Sequence, residues 1–132
     1  MSALPAGRYD HLQVSQHQGV LVLSFTDPEL VGDEVIHALR TELLAAVAEA
    51  GASKVVLDLE HVRYLGSAMF RPFLTLKQRL EEQGGRVVLC GLGPMLIEAF
   101  RVMRLINSTP SMPGLFTNEP DVSAAVRQLS EW

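Results

Sequence analysis

Cysteine is nearly absent from this 132-residue chain: Cys90 stands alone, so no internal disulfide can form, which fits a reducing compartment. Long apolar runs are missing too. No window approaches the roughly 20 consecutive apolar residues that a membrane-spanning helix needs. Residues Met1 to Gly7 carry no apolar run behind a basic start, so no signal peptide is expected, and a cytoplasmic location is. Basic excess is lacking as well. The 11 Lys and Arg stand against 15 Asp and Glu, a formal net charge of −4. Nucleic acid is therefore not an expected partner, and neither is direct membrane insertion.

Catalytic patterns are equally scarce. His11, His17, His37 and His61 show no metal-ligand spacing. Gly91-Leu92-Gly93-Pro94 lacks the Lys and the spacing of a phosphate loop. Cys90 has no partner Cys or spaced His and reads as a small buried hydrophobe. Asp58 and Glu60 flank a strand end, where ligand sites of α/β proteins form, yet two acids there more often solvate or cap. No cofactor, metal or enzymatic activity is expected.

What the chain does have is apolar content, 48% of its residues, enough for the core of one domain. Residues 1–10 read as a tail and 11–132 as the folded domain. His11 to Gln18 alternates and predicts an edge strand, and Val20 to Phe25 a second strand in a hairpin with it. A helix is expected from about Gly32 to Ala50. Val35, Leu39, Leu43 and Val47 form its stripe, Asp33 and Glu34 lie at its positive end, and Gly51 is its C-cap. Lys54 to Leu59 predicts a buried strand. After a loop from Glu60 to Gly66, a second helix runs from about Ser67 to Gln83. Arg86 to Cys90 predicts another buried strand. A third helix runs from Pro94 to about Met103, with Leu96, Phe100 and Met103 on one side. Residues 107–119 are rich in turn-formers, with a possible last strand at Leu115-Phe116, and a final helix runs from Pro120 to Leu129. The order β-β-α-β-α-β-α-(β)-α gives an α/β domain with a mixed, mostly parallel sheet of four to five strands and about four helices.

Two segments together resemble a known family. Val55-Val56-Leu57-Asp58-Leu59, followed by a loop to Gly66-Ser67-Ala68, is similar to the strand, loop and Asp-Ser-Ser/Ala-Gly motif of STAS domains of the anti-sigma-factor-antagonist type. Gly84-Gly85-Arg86-Val87-Val88-Leu89-Cys90, with Pro94, Phe100 and Leu105 beyond, resembles that family's later strand and helix. The likeness runs from about Gln13 to Leu129. It implies a protein-binding regulator whose helix-start Ser is phosphorylated by a Ser/Thr kinase-type anti-sigma factor. That Ser aligns with Ser67, and the partner-binding face with Gly66, Ser67, Ala68, Met69, Phe70 and Arg71. The chain departs from the motif at three places: Gly66 stands where the family has Asp, Ala68 at the second hydroxyl position, and Met69 where the family has Gly.

Other readings stay open. Ser67 also suits a plain N-cap, worth about 1 kcal/mol. Gly66 reads as a turn residue of positive φ. Pro72 falls inside the first turns, so the helix is expected to start late or to open with a distorted turn. Most of Met69, Phe70, Met95, Met103 and Met112 read as core. Met69 with Phe73 and Phe70 with Leu74 fall on two faces, which predicts exposed apolar surface near Ser67. The alternative function is a constitutive STAS scaffold, or the soluble subunit of a membrane transporter, with no phosphorylation cycle.

Overall fold

A computed structural model describes residues 9–104 and 116–132. Strand β1 (Leu12–His17) and β2 (Val20–Phe25) form an antiparallel hairpin. Its two-residue turn places Gln18 at φ 54° and Gly19 at φ 80°, the pair of positive values whose twist matches the flanking strands. Next come the short β3 (Glu29–Leu30), helix α1 (Asp33–Ala50) and β4 (Lys54–Asp58). A second two-residue strand, β5 (Tyr64–Leu65), leads through a 3-10 turn (Ser67–Met69) into α2 (Phe70–Glu82). The chain continues with β6 (Arg86–Cys90), α3 (Pro94–Val102), β7 (Thr117–Glu119) and α4 (Val122–Ser130).

The main sheet has the order β1-β2-β4-β6-β7, and every pairing after the first is parallel. Its central strands are buried on both faces, which explains their unbroken apolar sequences. Leu21, Leu23 and Phe25 of β2, Val55 and Leu57 of β4, and Val87 and Leu89 of β6 join one cluster with residues of α1, α2 and α3. The alternate residues, Val20, Val22, Val56, Val88 and Cys90, meet Ala125, Val126 and Leu129 of α4. Burying this apolar surface stabilises the domain at about 25 cal/mol per Å².

The expected α/β domain is therefore present, with four helices and a five-stranded mixed sheet among the described residues. Gly51 ends α1 at φ 60°, as expected of a left-handed C-cap. Several particulars differ. The last strand is Thr117–Glu119 rather than Leu115-Phe116; Phe116 is buried beside it, and Leu115 lies outside the described residues, as do Leu105, Met112 and the tail residues 1–8. Met95 and Met103 are not core. Both are exposed, because Leu96 and Phe100 already turn α3 to the sheet and Met103 lies beyond its last turn. Strands β3 and β5 were not expected at all. Among the described residues, no helix is long and apolar enough to cross a membrane.

Candidate functional site

The segment from Asp58 to Arg71 builds the site. Leaving β4, the Leu59 amide donates to the Cys90 carbonyl at 2.9 Å. The loop then reaches β3: the Arg63 and Tyr64 amides share the Pro28 carbonyl at 2.7 and 3.2 Å, and the Gly66 amide donates to the Leu30 carbonyl at 3.0 Å. With Glu29 opposite Tyr64 and Leu30 opposite Leu65, this small parallel ladder holds the backbone up to Ser67.

Gly66 does not have positive φ. It is extended, at φ −70° and ψ 149°, because it continues the β5 strand. Space explains the small residue better than backbone conformation does. A Cβ on Gly66 would lie 3.3 Å from Val31 Cγ1.

Ser67 opens the 3-10 turn and is exposed. Gly66 is the N-cap of that turn and Met69 the N-cap of α2, so the N-cap role is not the one Ser67 fills. Helix α2 proper begins three residues later, which places Pro72 at its third position. Amides of the first turn have no intrahelical partner, so the missing N–H costs nothing there. The late, distorted start expected from Pro72 is thus what forms.

The six residues expected to bind a partner divide by side-chain direction. Ser67, Ala68 and Arg71 are exposed and Gly66 is half-buried. Met69 and Phe70 turn inward and are buried, which corrects the expectation that they present apolar surface. The reason is aromatic packing between helices: the Phe70 ring meets Phe100 edge-on at 5.1 Å, and Phe73 lies between Phe25 and Phe100 at 5.6 and 6.2 Å. Exposed apolar surface near Ser67 does exist; Phe70 lines it from below, and its exposed part comes from other residues. Tyr64 is 53% exposed and Val102 76% exposed, and with Met103 they line a groove of about 470 Å³ that includes Ser67. Sequence reasoning missed them. The alternation of Tyr64 with Leu65 carried a signal, but a two-residue strand is too short to show a period.

On the other side of Ser67 a groove of about 500 Å³ separates α1 from α2. Asp33, His37 and Arg40 line it from α1, and Ser67 and Arg71 from the other wall. Ser67 therefore stands on a ridge between an apolar groove and one holding two arginines.

Behind the site, the sheet end is closed by Asp58, which is 8% exposed. Its carboxylate accepts the Ser24 hydroxyl at 3.0 Å, the Glu60 amide at 3.1 Å and the Cys90 thiol at 3.7 Å. Burial, followed by the charge and hydrogen bond of Asp58, pushes the Cys90 thiol far above its ordinary range. Such a thiol stays protonated and unreactive. The Asp58 carboxylate thus accepts three hydrogen bonds from the protein, and among the described residues no cluster of three or more His, Cys, Asp or Glu suits a metal ion.

Comparison with known proteins agrees with this architecture. BtrV of Bordetella bronchiseptica, named as a candidate anti-sigma factor antagonist, is 36% identical over 67 residues. That match spans 51% of this chain and 58% of BtrV, little more than half of either. Among solved structures, a candidate anti-sigma factor antagonist from Thermotoga maritima superposes with a TM-score of 0.73 at 13% identity, over 89% of this chain and 93% of that one. Bacillus SpoIIAA in its phosphorylated form gives 0.61 at 15% identity, over 89% and 98% of the two chains. The murine anion transporter Slc26a9 gives 0.69 at 13% identity, over 89% of this chain but 19% of the transporter. At these identities the structures establish the fold. The STAS domain family matches residues 11–121, most of the sheet and helices described above, and the chain belongs to that family.

Proposed function

We propose that this chain is a protein-binding regulatory module of the anti-sigma-factor-antagonist type, switched by phosphorylation of Ser67. The carrying observation is the placement of Ser67: exposed, outside the N-cap positions of both the turn and α2, and set between two grooves at the start of a helical turn. First-turn amides lack intrahelical partners and the helix dipole is positive there, so a phosphate is locally stabilised. The same phosphate adds nearly two negative charges to the surface. Local structure survives while the docking face changes, which is what a binding switch requires. The partner is a Ser/Thr kinase-type anti-sigma factor, and the contact face is Ser67, Ala68 and Arg71 with the apolar groove beside them. That Bacillus SpoIIAA has this fold in a phosphorylated form supports the reading.

A second reading has its own observation. Gly66 and Met69 replace the motif's Asp and Gly, and Met69 is fully buried. A constitutive scaffold, or a module serving a membrane transporter as in Slc26a9, needs no modification at Ser67.

Pull-down from the native host with wild type, Ser67→Ala and Ser67→Glu separates the two. A kinase-fold protein held by wild type and Ala but at least tenfold weaker with Glu supports the switch. Equal retention of one partner by all three baits overturns it in favour of the constitutive module.

A further inference from the structure

We infer that Arg40 and Arg71 form a receiving site for the phosphoryl group on Ser67, so that modification reverses the charge of the groove between α1 and α2. The inference rests on the reading of Ser67 as a phosphorylation site and names how that site acts.

Helical spacing assembles the groove. Asp33, His37 and Arg40 recur at intervals of four and three along α1 and so share one face. Ser67, which opens the 3-10 turn, and Arg71, in the first turn of α2, both line the other wall. Tertiary packing turns these two faces toward one groove. Side chains on a helix lean toward its N-terminus, which brings the long Arg71 side chain toward the turn that carries Ser67, and both line the groove. Arg40 approaches from the opposite wall.

Both arginines are exposed, and neither forms an ion pair among the described residues. They are therefore available. The guanidinium fork matches phosphate oxygens in bidentate fashion, and two such groups on separate helices grip a phosphate from two directions. Charge decides the consequence. Two arginines against Asp33 leave the groove with one net positive charge while His37 is neutral. A phosphate brings nearly two negative charges and turns that sign over. A partner surface that complements the unmodified groove is repelled by the modified one.

The test uses the full chain with phosphoserine genetically encoded at position 67, so no kinase is needed. The probe is the phosphate itself, followed by ³¹P NMR across its second ionisation near pH 6. In the wild-type background that ionisation falls lower than in the Arg40→Gln, Arg71→Gln double variant by roughly half a unit, about threefold in proton affinity. Each single variant lies between. Arg79→Gln, an exposed arginine of α2 outside this groove, keeps the wild-type value. Amide spectra establish that each variant is folded. Identical titration of all the proteins overturns the inference. Whether the host modifies Ser67 is read separately, by mass spectrometry of the chain purified from it, so failure of the clamp and failure of the phosphorylation reading give different results.

Discussion

The Ser24 hydroxyl donates to the Asp58 carboxylate at 3.0 Å, tying the ends of β2 and β4 together just before the loop that leads to Ser67. Asp58 is a buried carboxyl group on which three donors converge. Ser24→Ala removes one of them and costs about 1 kcal/mol. Asp58→Ala strips the hydroxyl, the Glu60 amide and the thiol of their acceptor and costs about 3 kcal/mol. In urea denaturation the double variant falls short of the sum by about 1 kcal/mol. Strict additivity would mean that this hydrogen bond contributes nothing.

Gly91 and Gly84 separate backbone strain from collision. Both have positive φ, 74° and 77°. A Cβ on Gly84 meets nothing within 4 Å, whereas one on Gly91 lies 2.9 Å from both Asp58 Oδ1 and the Glu60 amide nitrogen. Gly84→Ala therefore costs about 1 kcal/mol, from conformation alone. Gly91→Ala adds displacement of Asp58 and costs roughly 2 to 4 kcal/mol in total. Denaturation midpoints compare the two directly, and equal losses would show that the Asp58 contact relaxes freely.

Cys90 is expected to resist thiol reagents in the folded chain. Burial, reinforced by Asp58, pushes the thiol pKa up, so the thiolate that reacts is scarce near neutral pH. Labelling with an aromatic disulfide at pH 8 proceeds only as the chain unfolds. The pH dependence has a definite sign. Because the folded thiol ionises above the unfolded one, its contribution to stability is complete below the ordinary thiol range and declines as pH rises above that range. Cys90→Ala removes this alkaline slope. Rapid labelling of native protein would contradict the burial.

Gly66→Asp restores the residue that the family motif carries at this place. Backbone conformation does not oppose it, since φ is −70°. The Cβ contact with Val31 Cγ1 at 3.3 Å is tight but meets a side-chain methyl, so the cost stays near 1 kcal/mol or less. If the missing Asp limits kinase recognition, the variant is phosphorylated faster at Ser67 by the native partner. An unchanged rate measured by mass spectrometry would show that the Asp has no part in recognition here.

Much of the fold was legible in the chain because its signals are periodic and long. The apolar runs Val20–Phe25 and Arg86–Cys90 mark strands buried on both faces; α1 and α2 cover one face with Leu39, Leu43, Phe73, Leu76 and Leu80, and α4 covers the other. Pro72 announced the late start of α2 through its missing N–H. Less of the site was legible. Glu29–Leu30 and Tyr64–Leu65 have no period to read, and only pairing with each other makes them strands.

Sequence by itself therefore determined the α/β order, the helix faces and the position of Ser67 at the start of a helical segment, since each depends on residues close along the chain. Tertiary structure alone decided the rest. It turned Phe70 inward, where Phe100 of α3 supplies its aromatic neighbour, and buried Met69 in the same core. It left Tyr64, Val102 and Met103 outside as the apolar wall. It also brought Arg40 of α1 to the groove beside Ser67, a meeting of distant residues that depends on how two helices pack and on nothing local to either.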